Sequence, residues 1–162
     1  MKTLWAPWRM SYLDSPPKNN CIFCDKPKAS ADKENFILYR GKLSFVMMNL
    51  YPYNNGHLMV SPYKHIPSIS KMEKEDLFYL NLLTQASIQV LEKAFKPEGF
   101  NIGANIGKAA GAGFAEHVHI HIVPRWSGDT NFMPVLSETK VMPEHLDSVY
   151  ERLLTLFKEI HP

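Results

Sequence analysis

The sequence predicts an α+β fold built on a mainly antiparallel sheet of about five strands. Three observations lead to this expectation: short apolar segments separated by turn residues, one long amphipathic helical segment between them, and a second helical segment near the C-terminus. Strands joined by short turns pair antiparallel, whereas parallel strands need long crossover connections. We expect a single domain, because 162 residues suit one core and show no internal repeat and no long linker.

Composition excludes several classes of protein. The chain has 45% hydrophobic and 21% charged residues, which is typical of a globular protein and not of a disordered one. Its formal net charge is only +2, so no broad basic surface is expected to hold long nucleic acid through its phosphates. The N-terminal residues lack the apolar stretch of a signal peptide, and no apolar run is long enough for a membrane span. We therefore expect a cytoplasmic protein without membrane contact.

Residues 14–35 are rich in turn formers and lack periodicity, which predicts an irregular knuckle without regular elements. Within it, Cys21 and Cys24 have C-x-x-C spacing. In a reducing compartment this spacing indicates half of a zinc site or a redox pair, and not a structural disulfide. A thioredoxin-like motif is disfavoured because no strand–C-x-x-C–helix pattern surrounds the pair. Two reduced cysteines without a metal are the remaining alternative.

Four segments have the pattern of strands: residues 43–50, 57–61, 100–106 and 117–124. The residues Tyr51 to Gly56 supply a turn between the first two.

Two segments have the pattern of amphipathic helices. Ser70 and Glu73 have capping-box spacing ahead of the longer one, which Pro97 and Gly99 should end. Its buried stripe is expected to contain Leu77, Leu80, Thr84, Ile88, Leu91 and Phe95. Pro143 is expected to begin the closing helix, whose buried face would contain Leu146, Val149, Leu153, Phe157 and Ile160.

The segment from His117 to Val123, His-Val-His-Ile-His-Ile-Val, is the clearest strand pattern in the chain. Because side chains alternate along a strand, His117, His119 and His121 should share one face, and the apolar residues between them the other. A rise of about 3.3 Å per residue puts successive histidines roughly 6.5–7 Å apart. This spacing suits contact with successive parts of one extended ligand, such as a phosphate chain.

Three interpretations of the histidine row are open. A neutral imidazole, with a reference pKa of about 6.5, can attack phosphorus and form a covalent nucleotidyl-histidine, while a protonated neighbour stabilises charge on the phosphate. The row could instead bind a catalytic zinc ion, since H-x-H on a strand is a common zinc arrangement. A purely structural role is the weakest interpretation, because it leaves three aligned titratable rings without a use. We favour the nucleophile.

The motif and its flanks resemble the histidine triad (HIT) superfamily, whose motif is His-φ-His-φ-His-φ-φ with φ apolar. The flanks are most similar to the fragile-histidine-triad branch and, within it, to the bacterial diadenosine tetraphosphate phosphorylases; they are Trp5-Ala6-Pro7-Trp8-Arg9, Cys21-Ile22-Phe23-Cys24, Asn54-Asn55-Gly56-His57 and Gly128-Asp129-Thr130-Asn131-Phe132-Met133-Pro134. The resemblance covers nearly the whole chain. It implies one HIT domain over residues 1–162, with an N-terminal extension and zinc knuckle at 1–35 and a catalytic core at 36–162.

The resemblance also implies roles for the histidines. His119, the middle one of the motif, would be the nucleophile. His121 would contact the phosphate or the leaving group, and His57 would reach the α-phosphate region from a neighbouring strand. His117 completes the predicted catalytic set.

Nucleotide-binding roles are implied for residues outside the motif. Asn49 would bind ribose hydroxyls, or else it would only cap a turn. Asn105 would contact the phosphates. The loop 107–113, with Gly111 and Gly113, could bring backbone N–H groups to phosphate oxygens, although a glycine-rich loop is often only flexible.

A structural zinc site needs four Cys or His ligands, so the cysteine pair alone is incomplete. The resemblance implies that His65, in the step Pro62-Tyr63-Lys64-His65, and His117 complete it. The metal would then tie the N-terminal knuckle to the histidine strand and would take no part in the attack. Because the thiols must be deprotonated and the imidazoles neutral, the site should fail at acid pH.

Together these features predict an enzyme that cleaves dinucleoside polyphosphates, with diadenosine tetraphosphate first, by hydrolysis or phosphorolysis. His121 favours hydrolysis, since nucleotide-transferring relatives often carry glutamine there, whereas the flanks favour phosphorolysis. The alternatives are a nucleoside phosphoramidate hydrolase, a metal-dependent hydrolase with three histidines on one zinc, and a non-catalytic zinc- and nucleotide-binding module.

Two further expectations concern partners. Relatives commonly pair, so the resemblance implies a homodimer. The aromatic residues near the N-terminus are expected to anchor it to the core or to a partner subunit, and less to stack on a base; they are Trp5, Trp8 and Tyr12. The sequence assigns no role to Arg125 or to the segment Asp129–Phe132.

Overall fold

Five strands form one antiparallel sheet in the computed structural model, which describes residues 21–129 and 142–160. In chain order they are β1 (Ile37–Arg40), β2 (Ser44–Met48), β3 (Leu58–Pro62), β4 (Gly99–Gly103) and β5 (Ile120–Arg125). Across the sheet the order is β1-β2-β3-β5-β4, so that β5 lies between β3 and the edge strand β4. The predicted fold class is confirmed.

The α-helices of the described residues are α1 (Ile22–Lys28), α2 (Asp32–Asn35), α3 (Lys74–Phe95) and α4 (Leu146–Phe157), with short 3₁₀ helices at Ile69–Lys71 and Lys108–Ala110. None of the helices in this part of the chain is long and apolar enough to cross a membrane. The helices α3 and α4 pack on each other and on one face of the sheet. Each large apolar side chain fully buried there contributes roughly 1.5–3 kcal/mol.

The two faces of the sheet carry separate apolar clusters. Val46 and Met48 point to the α3 and α4 face, whereas Phe45 and Met47 point to the opposite face, because side chains alternate along β2. On that opposite face Phe23 of α1 completes the second cluster. The predicted separation of the apolar motif residues from the histidines also holds, since Ile120 and Ile122 lie in the cluster on the α3 and α4 face.

The prediction of an irregular knuckle is wrong for the described part of the N-terminal region, which contains α1 and α2. A tertiary contact explains this outcome. Arg40 on β1 donates to the carbonyl oxygens of Pro27 (2.6 Å) and Ala29 (3.1 Å) and pairs with the carboxylate of Asp32. One guanidinium thus holds the end of α1 and the start of α2, which the local composition could not reveal. Trp5, Trp8 and Tyr12 lie outside the described residues.

The predicted helix starts were each about three residues too early. Helix α3 begins at Lys74 with Glu73 as N-cap, so the proposed capping box is wrong; the amide of Ser70 is instead bonded by the hydroxyl of Ser68 in the preceding 3₁₀ turn. Helix α4 begins at Leu146, and the His145 ring accepts from the Asp147 amide.

The buried faces of both helices follow the predicted patterns in part. Of the predicted α3 stripe, Leu80, Thr84 and Leu91 are buried and the rest are half-buried; the stripe also contains Leu83, Ser87 and Val90. On α4, Val149, Leu153 and Phe157 are buried as predicted, with Tyr150 beside them.

The histidine strand is shorter than predicted, because β5 begins only at Ile120. The β3–β5 register pairs Val60 with Ile120, and the pairing stops there. Pro62 lacks an N–H and cannot continue the ladder. Instead the Ser61 hydroxyl donates to the Val118 carbonyl (3.1 Å), and the amide of Val118 bonds the carbonyl of Ile66. The first two motif histidines therefore precede the regular strand.

Candidate active site and metal centre

A cavity of about 370 Å³ lies on the side of the sheet that α1 covers. All six residues predicted to bind nucleotide line it, namely Asn49, Asn105, Gly111, Gly113, His119 and His121. An apolar cleft with a few polar groups is typical of a small-molecule site. The sequence reasoning missed much of the apolar wall, because its members come from α1, β2, β3 and two loops; among them are Ile22, Phe23, Met47, Met59, Tyr53 and Phe114.

His119 is buried at the cavity wall, with 5% of its surface exposed. Its Nδ1–H donates to the carbonyl oxygen of His117 at 2.9 Å. That bond places the ring proton on Nδ1 and leaves the lone pair on Nε2. Burial lowers the pKa of His119 below its ordinary value, and the backbone hydrogen bond offsets this only in part. The ring is therefore neutral at neutral pH and has the tautomer of a nucleophile.

His121, at the cavity wall, forms a hydrogen-bonded pair with His57, which lies behind it. The backbone amide of Tyr53 donates to His57 Nδ1 at 3.0 Å, so the His57 proton lies on Nε2. His57 Nε2 is 2.9 Å from His121 Nδ1 and donates to it. His121 Nδ1 is thus an acceptor, and its proton lies on Nε2. His57 is 1% exposed, and His121 presents the pair to the cavity.

Asn49 caps a turn and also lines the cavity. Its Oδ1 accepts from the Tyr51 amide at 2.9 Å, and its Nδ2 lies 3.4 Å from His57 Nδ1. Asn49 therefore caps the turn, as the alternative interpretation predicted, and its side chain still lines the cavity.

In the loop after β4, Gly107 and Gly111 have positive φ angles of 82° and 81°, which L side chains rarely adopt.

Four thiol and imidazole groups meet at a second place beside the cavity. The ligand atoms of Cys21, Cys24, His65 and His117 all lie within 4.8 Å of one another. The Sγ atoms of the two cysteines are 3.2 and 3.5 Å from His117 Nδ1, and Cys24 Sγ is 3.2 Å from His65 Nδ1. Tetrahedral zinc with Zn–S of about 2.3 Å and Zn–N of about 2.0–2.1 Å needs ligand atoms about 3.3–3.8 Å apart. The donor set fits such an ion, and the three contacts of 3.2–3.5 Å are close to the spacing that it requires.

The orientation of His117 also fits a metal ligand. Its Nε2–H donates to the Pro62 carbonyl at 2.9 Å, which leaves the Nδ1 lone pair directed to the cysteines. Burial lowers the pKa of His117, and this favours the neutral form that a metal requires. His117 thus joins the cysteine cluster, and it is not among the residues that line the cavity.

The three motif histidines do not converge on one point. Nδ1 of His117 faces the cysteines, Nδ1 of His119 faces a backbone carbonyl, and Nδ1 of His121 faces His57. In the part of the chain that the structure describes, the one cluster with metal-ligand geometry is that of the two cysteines with His65 and His117. The arrangement does not support a catalytic zinc held by the whole motif.

Three alternating histidines that lead into an inner strand of an antiparallel sheet, with the middle one at a cavity, are characteristic of the histidine triad proteins as a class. The chain belongs to the HIT family: the HIT domain model matches residues 30–128. The chain is similar to an AP-4-A phosphorylase of Mycobacterium tuberculosis, with 39% identity over 96% of this chain and 84% of that protein. It is also similar to a bis(5'-nucleosyl)-tetraphosphatase (asymmetrical) of Schizosaccharomyces pombe, with 35% identity over 70% of this chain and 63% of that protein.

Solved structures agree with this assignment. A hypothetical histidine triad nucleotide-binding protein of Sulfolobus tokodaii has 26% identity and a TM-score of 0.64, covering 86% of this chain and 90% of that one. A Zn-bound histidine triad family protein of Mycobacterium smegmatis shares the fold at 22% identity and a TM-score of 0.67, covering 86% and 94% of the two chains. The predictions of the family and of a HIT-family enzyme are confirmed.

Proposed function

We propose that the protein cleaves dinucleoside polyphosphates, with diadenosine tetraphosphate as the leading substrate, through a covalent nucleotidyl-histidine at His119. The observation that carries the proposal is the state of this residue: a buried neutral imidazole at the cavity wall whose Nδ1–H is held by a carbonyl. The names of the two similar enzymes support the substrate class.

The reaction would proceed in two displacements at one phosphorus. His119 Nε2 attacks, an N–P bond forms, and the bridging P–O bond breaks so that the departing phosphate chain takes the electron pair. Water or inorganic phosphate then attacks the same phosphorus, and the N–P bond breaks as the imidazole leaves. The cavity fits one nucleotide, with apolar side chains for the base and with Asn49, Asn105 and the glycine loop for the polar groups.

His121 would hold the phosphate while the bond changes. Its Nε2–H is fixed as a donor because Nδ1 is occupied by the proton of His57. Such a preset donor stabilises charge that develops on a phosphate oxygen without reorganisation. In this proposal His57 acts from behind His121 and does not itself touch the substrate, while His117 belongs to the metal centre.

We propose that Cys21, Cys24, His65 and His117 hold a structural zinc ion. The ion, when bound, would supply cross-linking and no chemistry, since its four ligands come from α1, from the segment after β3 and from the start of the motif. The contact distances given above support this set.

Phosphorolysis and hydrolysis differ in the molecule that accepts the adenylyl group from His119, which is inorganic phosphate in the first and water in the second. We favour phosphorolysis, because the AP-4-A phosphorylase matches more of the chain, and at higher identity, than the tetraphosphatase. Phosphate attacking an adenylyl group yields ADP, whereas water yields AMP. Turnover of diadenosine tetraphosphate should therefore give ADP and ATP in the presence of phosphate, and AMP and ATP where water is the acceptor. An adenosine phosphoramidate assayed in parallel should be the poorer substrate.

The decisive experiment is to trap the adduct. Rapid quench and mass spectrometry should show an adenylyl group on the wild-type chain and none on His119→Ala. A matched control is His145→Ala, which removes an exposed histidine at the start of α4 and should react normally. If His119→Ala folds, binds nucleotide and still turns over at a near-normal rate, the proposed mechanism is wrong.

We also propose a homodimer. β4 is an edge strand, and Ile102 on it is 49% exposed. An exposed apolar edge strand is a place where strands of another chain pair. Light scattering should give twice the mass of the chain, and Ile102→Lys should shift the protein towards the monomer; a monomeric wild type would refute the proposal.

A further inference from the structure

The carboxylate of Asp129, in the turn after β5, accepts hydrogen bonds from Arg125, Asn54 and Trp126 among the residues that the structure describes. Arg125 binds it with two nitrogens, at 2.6 and 2.9 Å, the Asn54 amide donates at 2.8 Å, and the Trp126 backbone N–H at 3.2 Å. The Asp129 side chain is only 10% exposed. An ionised, nearly buried acceptor with several donors forms strong, directional hydrogen bonds.

Asn54 connects this carboxylate to the turn before β3. It is 8% exposed, and its Nδ2 also donates to the carbonyl of Pro124 at 3.0 Å. The backbone carbonyl of Asn54 accepts from the amide of His57 at 3.2 Å. The side chain of Asn54 is therefore fixed by the end of β5, and its backbone lies against His57.

The same turn fixes the proton on His57. The amide of Tyr53, the residue before Asn54, donates to His57 Nδ1. Because of this bond the His57 proton lies on Nε2, which donates to His121. A continuous chain of contacts thus runs from Arg125 through Asp129, Asn54 and His57 to His121.

We propose that Asp129 is a positioning residue of the active site: by holding Asn54 it keeps the turn in the geometry in which His121 presents an N–H donor to the phosphate. The proposal rests on the role of His121 given above. It assigns Arg125 a part as well, since its third nitrogen donates to Asn101 Oδ1 at 2.6 Å and thereby fixes the pair to β4.

The charge of the carboxylate matters for this role, and not only its shape. In Asp129→Asn one of the two oxygens becomes an NH₂ donor. Oδ2 accepts from Asn54, from Trp126 and from Arg125 Nε, whereas Oδ1 accepts from Arg125 Nη2. With the amide oxygen at the Oδ2 position the NH₂ faces Arg125 Nη2 as a donor opposite a donor, and in either orientation the charged pair that anchors the turn to Arg125 is lost. Asp129→Asn should therefore loosen the turn with little change in volume.

The test compares Asp129→Asn with Glu98→Gln. Glu98 holds the same turn from its other side, through the amide and hydroxyl of Ser127, but its carboxylate is not bonded to Asn54. The first measurement is the ¹⁵N spectrum of the imidazoles in the unliganded protein. Wild type and Glu98→Gln should show His57 protonated on Nε2, whereas Asp129→Asn should show a mixture of tautomers.

The second measurement is kinetic. In single turnover, Asp129→Asn should form the adenylyl adduct about tenfold more slowly, with KM changed much less, because a misdirected donor weakens the transition state more than it weakens binding. Glu98→Gln should stay near the wild-type rate. Unchanged His57 and His121 spectra in Asp129→Asn, or equal rate losses in both variants, would overturn the proposal. The spectra need no turnover, so this result is separate from a failure of the covalent mechanism.

Discussion

Phe23 stacks on His119, with ring centroids 4.4 Å apart and planes inclined by 24°. Phe23 lies between Cys21 and Cys24 on α1 and also touches the ring of His117, with centroids 5.4 Å apart. The first turn of α1, with its N-cap Cys21, thus carries two of the proposed zinc ligands and the side chain that covers one face of the proposed nucleophile. The motif Cys-Ile-Phe-Cys therefore links the candidate metal centre to the candidate active site through a single aromatic ring.

Phe23→Leu should reduce activity more than its loss of stability explains. Phe23 is 1% exposed, and the smaller side chain leaves a gap beside the His119 ring, which can then tilt away from the line of attack. We expect a destabilisation of about 1–2 kcal/mol and a fall of about tenfold in the rate of adduct formation.

The matched control is Phe157→Leu. Phe157 is also 1% exposed, but it lies in the cluster on the other face of the sheet. Thermal unfolding should show similar losses of stability in the two variants, whereas quenched-flow measurements should show slow chemistry only for Phe23→Leu. Equal rates in the two variants would mean that the stacking has no catalytic consequence.

Removing the proposed zinc ion should reduce the stability of the protein more than its activity. A ligand that binds only the folded state at a hundred times its dissociation constant stabilises it by about 2.7 kcal/mol. We expect chelated protein, and the Cys24→Ser variant, to unfold several degrees below the loaded protein while still forming the adduct at a reduced rate. Chelated protein that stays fully folded but forms no adduct would instead identify a metal that acts in the chemistry.

Acid should destabilise the protein through its buried histidines. Burial lowers the pKa of His117 and of His119, so both stay neutral in the folded chain while the unfolded chain binds protons below about pH 6.5. The stability they support is therefore present above that pH and is lost as the pH falls below it, by up to about 1.4 kcal/mol per pH unit for each proton.

Urea unfolding of the metal-free protein between pH 7.5 and 5 measures this slope. Metal-free protein is required because metal release would act in the same direction. His119→Asn should make the dependence shallower by the contribution of one proton. A free energy of unfolding that stays constant down to pH 5 would contradict the assignment of neutral buried rings.

The sequence predicted the features that follow from local periodicity and missed those that depend on contacts between distant residues. The alternation of histidine and apolar residues placed His119 and His121 opposite Ile120 and Ile122 correctly, because a period of two is a local property. Strand β1 was not singled out, since four residues with buried Ile37 and Leu38 carry no clear alternation. Nor could the sequence show the Phe23 stack or the Asn54–Asp129 bond, as both join side chains far apart in the chain.

The four proposed zinc ligands could be predicted only in part from the sequence itself. The ligands Cys21 and Cys24 are visible as a pair, but His65 and His117 are 41 and 93 residues away from Cys24. Only the resemblance to a family connected them, and the structure brings the four together. The end of the β3–β5 ladder at the Val60–Ile120 pair explains how: it leaves the chain around His117 outside the strand, so that this ring can turn to the cysteines.

His121→Gln should still form the adduct at a rate near that of the wild type, whereas His121→Leu should form it far more slowly. In the structure His121 uses Nδ1 as an acceptor from His57 and carries its proton on Nε2. A glutamine amide offers the same pair, with its oxygen for the His57 N–H and its NH₂ for the phosphate. We expect the glutamine variant to react within about tenfold of wild type and the leucine variant to react a hundredfold or more slowly, about the cost of one lost transition-state donor.

Rapid-quench mass spectrometry at saturating substrate compares the two variants directly, and thermal unfolding confirms that both are folded. The leucine variant also leaves His57 Nε2–H without its partner in a buried position, so its destabilisation must be measured and separated from the rate. If glutamine and leucine are equally slow, His121 must give up or take a proton during the reaction, because glutamine preserves both hydrogen bonds of His121 but cannot exchange a proton.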